Sequence, residues 1–99
     1  KFYIVAMINK NIIKIRKELD ILDNKLLDII KKRMKLVDKV LKNKKFKKDI
    51  IDKKRISVIL NNIQKKSRNK KIDTRITHKI WSSMIKAFID YEFRNFKNK

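Results

Sequence analysis

Cysteine, glycine and proline are all absent from this sequence of 99 residues. Without cysteine there is neither a disulfide framework nor a thiolate metal site. Without glycine and proline there is no Asn-Gly hairpin signal and no residue that breaks a helix. The single histidine, His78, stands beside Lys79, and we interpret it as a surface residue rather than a metal ligand or a base. Without helix breakers or hairpin signals, we expect an all-α domain. No Ser-His-Asp or phosphate-loop pattern occurs, and we expect no metal or cofactor.

Acidic residues are also scarce, with 10 against 30 lysines and arginines, and the net charge is +20. Such a charge is typical of proteins that bind nucleic acid or an anionic surface. AT-biased codon usage is the simpler explanation, because it enriches lysine, isoleucine and asparagine and depletes glycine, proline, alanine and arginine. The arginines are then the informative cations. Three lie on or beside apolar helix faces (Arg16, Arg33, Arg55), and three are expected at the surface (Arg68, Arg75, Arg94).

The apolar run Phe2 to Ile8 is too short for a membrane span or a standard signal peptide. We interpret residues 1–8 as an N-terminal extension or an expression remnant, with Met7 as a candidate start. Residues 9–99 then form the helical domain. We expect a soluble, cytoplasmic protein with no membrane partner.

The first predicted helix runs from Asn9 or Asn11 to about Asn43, since asparagine is a good N-cap and lysines follow at the other end. Some 33 residues make a rod of about 50 Å. That is too long to be covered by two short helices of the same chain, so the rod predicts a second subunit.

Two shorter helices should follow the charged break at residues 44–48. Asp49 is the expected N-cap of a helix over residues 50–66. Residues 67–72 form the next predicted loop. Asp73 or Thr74 then caps a helix over residues 75–96.

Arg33 interrupts the apolar face of the first helix. The apolar positions recur at helical spacing: Ile12, Ile15, Leu19, Leu22, Leu26, Ile29, Leu36 and Val40. A core position rarely holds an arginine unless an anion is buried with it. Arg16 lies 17 residues before Arg33 and Lys44 lies 11 residues after it.

These spacings predict a shared site. Arg33 and Lys44 are about 16 Å apart on one helix face, close enough for both to hold one small anion. Arg16, about 25 Å from Arg33, reaches such a ligand only from an antiparallel partner helix. Arginines clamp carboxylates in bidentate fashion, so a small dicarboxylate suits the site. With no nucleophile, the chemistry would depend on positioning and electrostatics.

The later helices supply further candidates. Asp52 and Arg55 are spaced to face one side together, or they form only a surface ion pair. Glu92, one of two glutamates, falls on the apolar face of the third helix. Its alternative role is an ion pair with a lysine near the helix end.

Three segments resemble the all-α chorismate mutase family: IRKELDILDNKLLDIIKKRMKLVDKVLKNK (15–44), IDKKRISVI (51–59) and IWSSMIKAFIDYE (80–92). The resemblance implies an intertwined homodimer of three-helix chains that converts chorismate to prephenate in aromatic amino-acid biosynthesis. Arg16 would enter each site from the partner chain. The arginines would hold the substrate carboxylates, Lys44 would donate to the ether oxygen, and Glu92 would stand where the family usually has Gln. Asp52 would contact the ring hydroxyl or orient Arg55.

Two positions depart from the family pattern. Ile56 replaces a common Glu, and Phe88 replaces a small or polar residue. Both make the substrate-binding pocket less polar, as in the related isochorismate-pyruvate lyases, which are the alternative activity. A basic helical nucleic-acid binder is a further alternative, but no aromatic–basic interleaving supports it. An inactive mutase-like domain is the last alternative, and Ile56 is the residue that supports it best.

Overall fold

The computed structural model describes the backbone of residues 2–97 and the side chains of residues 9–97. Its three α-helices are α1 (Phe2–Lys42), α2 (Lys53–Asn69) and α3 (Thr74–Asn95). A 3-10 helix, Lys47–Ile50, lies between α1 and α2. The described residues contain no strand, so the predicted all-α class with three helices is confirmed. No helix among them is long and apolar enough to cross a membrane.

The start of α1 differs from the prediction. The helix begins at Phe2 rather than at Asn9 or Asn11. No glycine or proline interrupts residues 2–8, so nothing stops the helix from continuing through the two asparagines. Whether residues 1–8 are an extension or an expression remnant stays a prediction.

The predicted start of α2 is also wrong. Asp52, not Asp49, is the N-cap, and its Oδ1 accepts the N–H of Arg55 at 3.0 Å. Asp49 lies in the 3-10 helix, where its Oδ2 accepts the N–H of Phe46 at 3.2 Å. Ile50 follows at once and is only 3 % exposed. The 3-10 helix therefore ends on a buried side chain, and α2 begins only after Asp52.

The end of α2 extends beyond the prediction, to Asn69, and closes with a Schellman motif. Ile72 N–H donates to the carbonyl of Ser67 at 2.8 Å, and Lys71 N–H donates to the carbonyl of Arg68 at 3.1 Å. Lys71 takes the left-handed conformation, with φ of 58°. At the next helix, Asp73 caps α3 as predicted, since its Oδ1 accepts the N–H of Arg75 at 2.8 Å.

The chain divides into two compact units, Lys1–Lys35 and Leu36–Lys99. In the first unit α1 carries large apolar side chains that are 37–62 % exposed: Ile12, Ile13, Ile15, Leu19, Ile21, Leu22, Leu26, Leu27, Ile29 and Met34. Helical spacing places many of them on the apolar face that the sequence predicts, and the single chain leaves that face uncovered.

In the second unit α3 packs against α2 and the 3-10 helix. Leu41 and Ile50 are its buried apolar residues. The predicted apolar face of α3 is half-buried at Trp81, Met84, Ile85, Phe88 and Ile89, whereas Ile80 and Phe93 are exposed.

A buried pair of hydroxyls joins α2 to α3. The Oγ of Ser67 lies 2.8 Å from Oγ1 of Thr77 and 2.6 Å from the carbonyl oxygen of Ile63. Because a hydroxyl has one proton, Thr77 donates to Ser67 when Ser67 donates to Ile63. Both buried hydroxyls are thereby satisfied.

Candidate active site

Lys44 and Glu92 form an ion pair in the second unit. Lys44 Nζ lies 3.1 Å from Glu92 Oε1 and 3.4 Å from the carbonyl oxygen of Ile50. The Lys44 side chain is 19 % exposed and that of Glu92 is 8 % exposed. A charge-assisted hydrogen bond so shielded from water is stronger than one at an open surface.

Three elements position this pair. Lys44 follows the last turn of α1, and its N–H donates to the carbonyl of buried Leu41 at 3.1 Å. Ile50 ends the 3-10 helix with its side chain buried and its carbonyl turned to Lys44. Glu92 lies in the last turns of α3, where its apolar-face position accounts for its burial. The ammonium is thus held between the 3-10 helix and α3.

Glu92 therefore forms an ion pair with a lysine, as its alternative sequence interpretation proposed. The pair is not at a frayed surface turn, however, because Glu92 is 6 % exposed and its partner is 48 positions away in the chain. A buried carboxylate joined to the predicted donor is also compatible with a catalytic role.

Asp52 and Arg55 are both exposed in the single chain. The carboxylate of Asp52 accepts the backbone N–H of Arg55, so the contact between them is a helix cap. Asp52 therefore stabilises the start of α2. Its contact with the substrate remains a prediction.

The two apolar replacements, Ile56 and Phe88, are half-buried on α2 and α3. Among the remaining candidates, Arg16 is exposed and Arg33 is half-buried, and both lie on α1 within the first unit. Arg33 thus has intermediate burial at the position where it interrupts the apolar pattern.

Tyr91 and Asp38 form a second polar link beside the ion pair, and the sequence interpretation missed it. The Tyr91 hydroxyl donates to Oδ1 of Asp38 at 2.7 Å, and both residues are half-buried. This hydrogen bond to a carboxylate is the largest cause that raises the pKa of Tyr91 above its usual value near 10; burial adds to it, and Arg94 opposes it. The only signal in the sequence is the position of Tyr91 next to Glu92.

A separate cleft of about 480 Å³ lies between α2 and α3, lined in part by Asn61, Gln64, Arg75 and His78. None of the predicted site residues lines it. His78 is exposed, as expected. Within the part of the chain that the structure describes, no cluster of acidic or histidine side chains is arranged to hold a metal ion.

Comparison with known proteins gives one family. No curated protein and no solved structure matches the chain. A family model described as chorismate mutase type II matches residues 15–93. The matched region runs from the residue before Arg16 to the residue after Glu92, and it includes every candidate site residue. Since the match covers well over half of the sequence, the chain belongs to the chorismate mutase type II family.

Proposed function

We propose that this protein is a chorismate mutase that rearranges chorismate to prephenate without a cofactor. Within the substrate one C–O bond breaks and one C–C bond forms, and no group is transferred to the protein. Negative charge develops on the ether oxygen as the C–O bond breaks, so a fixed cationic donor lowers the barrier.

The Lys44–Glu92 ion pair is the observation that carries this proposal. Lys44 has three N–H donors, and Glu92 and Ile50 account for two of them. The third serves the ether oxygen. A lysine side chain is otherwise flexible, and its two fixed contacts hold the ammonium in place before the substrate arrives.

The arginines bind the substrate in this proposal. Arg33 and Arg55 hold carboxylates, and Arg16 reaches the site from the partner chain. Asp52 contacts the ring hydroxyl or orients Arg55 while it caps α2. These roles follow from the family resemblance and from the spacing along α1.

A homodimer is the second part of the proposal. Apolar side chains such as Leu22 (58 % exposed) and Leu27 (62 % exposed) line α1 in the first unit. A continuous apolar face of this kind marks an interface, because water would otherwise contact it. Sedimentation at micromolar concentration should give a dimer. A folded and active monomer would contradict both the dimer and the shared site.

Isochorismate-pyruvate lyase activity is the second candidate, favoured by the half-buried apolar side chains of Ile56 and Phe88. The decisive experiment incubates the protein separately with chorismate and with isochorismate and identifies the products. Prephenate from chorismate supports the mutase. Pyruvate and salicylate from isochorismate support the lyase, and no turnover of either supports an inactive domain. We further propose a cytoplasmic location, where a small metabolite of this class is accessible.

A further inference from the structure

The link between Tyr91 and Asp38 joins the same two parts of the chain as the candidate catalytic pair. Asp38 lies on the part of α1 that belongs to the second unit, and Lys44 follows the end of that helix. Tyr91 and Glu92 are adjacent on α3. Two neighbouring residues of α3 therefore hold the end of α1 and the residues just beyond it.

The two links differ in stiffness. Lys44 carries its ammonium on a four-carbon stem, so the ion pair by itself holds the α3 backbone less tightly than a contact between shorter side chains. Tyrosine has a rigid ring and two side-chain torsions, and aspartate is short. At 2.7 Å, with an ionised acceptor, their hydrogen bond is short and directional. The Tyr91–Asp38 bond thus restricts the rotation of α3 far more than the ion pair does.

Rotation of α3 matters for Glu92. Adjacent residues of a helix are related by about 100° and a rise of about 1.5 Å, so they move as one body. A turn of α3 that displaces Tyr91 also displaces Glu92, which changes the angle and distance to the Lys44 ammonium.

From this geometry we propose that Tyr91 and Asp38 are positioning residues that hold Glu92 in register with Lys44. The catalytic part of this inference rests on the proposed function. The ordinary tyrosine pKa near 10 already keeps the hydroxyl protonated at neutral pH, and the Asp38 bond raises that pKa further, so Tyr91 remains a donor there.

The test uses the two glutamates of the chain, Glu18 and Glu92. Protein labelled with ¹³C only in glutamate gives two side-chain carboxyl signals by NMR, and exposed Glu18 is the internal reference. Lys44→Met supplies the position of the Glu92 signal without its cation. We expect the Glu92 signal of Tyr91→Phe to shift toward that position while the Glu18 signal stays.

Kinetic measurements complete the test, with whichever of chorismate and isochorismate the wild-type protein converts. We expect Tyr91→Phe to lower kcat on the order of ten-fold with little change in KM, since a misplaced donor weakens transition-state stabilisation more than substrate binding. Asp38→Asn retains an oxygen acceptor and should recover much of the activity that Asp38→Ala loses. Asp90→Asn is the matched control, because Asp90 is exposed and pairs with exposed Arg94 on the same helix, and it should change neither the signal nor kcat.

The outcomes separate this inference from the proposed function. A Glu92 signal that stays at its wild-type position in Tyr91→Phe overturns the inference, whatever the activity. A shifted signal with unchanged kcat overturns its catalytic part. If the wild-type protein converts neither chorismate nor isochorismate, the proposed function fails, and the NMR comparison still decides whether Tyr91 positions Glu92. All spectra are recorded below the unfolding temperature of each variant.

Discussion

Lys44 and Glu92 are 48 positions apart in the chain, and their side chains meet at 3.1 Å. The structure thus brings together a residue just beyond the end of α1 and a residue in the last turns of α3. A lysine paired with a shielded carboxylate is held in one place, which is what an electrostatic donor requires.

Lys44→Ala and Arg33→Ala should each abolish most activity, because each removes a cation that, under the proposed function, faces developing or bound negative charge. Loss of such a donor typically lowers the rate by about 10²–10³, or about 2.7–4 kcal/mol. Exposed Lys31 and Lys32 are matched controls on the same helix, and their alanine variants should retain activity. Circular dichroism should show an intact helical fold. Near-normal turnover in Arg33→Ala would refute its place in the site.

Lys44→Ala also leaves the Glu92 carboxylate without its cation, so a loss of stability has to be separated from a loss of catalysis. The double variant Lys44→Ala/Glu92→Gln removes both charges. It should unfold at a higher temperature than Lys44→Ala and remain inactive. Recovery of activity together with stability would show that Lys44 is only structural.

Chains carrying Arg16→Ala and chains carrying Arg33→Ala should complement one another when mixed. If each site takes Arg16 from one chain and Arg33 from the other, a mixed dimer has one intact site and one doubly damaged site. The assay compares the mixture with each variant alone, after subunit exchange has been verified. Activity that stays at the level of the single variants would argue against shared sites.

Glu92→Gln should keep activity at neutral pH if Glu92 faces the substrate, because the amide oxygen still accepts from Lys44 and the amide supplies a fixed N–H donor toward the ether oxygen. The assay compares kcat of the Gln variant with that of wild type. A folded but inactive variant would show that the carboxylate itself, through its ion pair with Lys44, is required.

Tyr91 should make stability sensitive to alkaline pH. Its pKa is raised in the folded protein by Asp38, so the folded state favours the protonated hydroxyl. This contribution is fully present below the ordinary tyrosine pKa near 10 and is lost as pH rises through the higher folded value. Thermal unfolding of wild type and Tyr91→Phe, compared between pH 8 and pH 12 (roughly spanning that pKa), should show the difference between them shrinking at the alkaline end. A constant difference would contradict the prediction.

Lys71→Gly should stabilise the protein. The left-handed region costs a non-glycine residue roughly 1–2 kcal/mol, and glycine adopts it freely. Part of this gain is offset by the extra freedom of glycine in the unfolded chain, so we expect a net increase of about 1 kcal/mol in chemical denaturation. Exposed Lys70, with φ of −88°, is the control, and Lys70→Gly should not stabilise.

Helical periodicity predicted the three helices and most of the α3 face because those patterns depend on neighbours along one helix. The choice between Asp49 and Asp52 as N-cap was not predictable in this way. Both are aspartates before helix-forming residues, and only Asp52 lies beyond the 3-10 helix that ends at buried Ile50. In the same way, the family pattern pointed to Lys44 and Glu92, but the Tyr91–Asp38 bond depends on packing between distant segments. No spacing in the sequence predicts this hydrogen bond.

The buried hydroxyls of Ser67 and Thr77 have a consequence for how α2 and α3 slide against each other. Apolar contacts are non-directional, and a shift of one helix along the other can replace one isoleucine contact by the next. The hydroxyl bond at 2.8 Å is directional, and a displaced Ser67 or Thr77 would keep only a carbonyl of its own helix, Ile63 for Ser67 and Thr74 for Thr77. In a sequence this rich in interchangeable isoleucines, one pair of small polar side chains thus favours one alignment of the two helices over its neighbours.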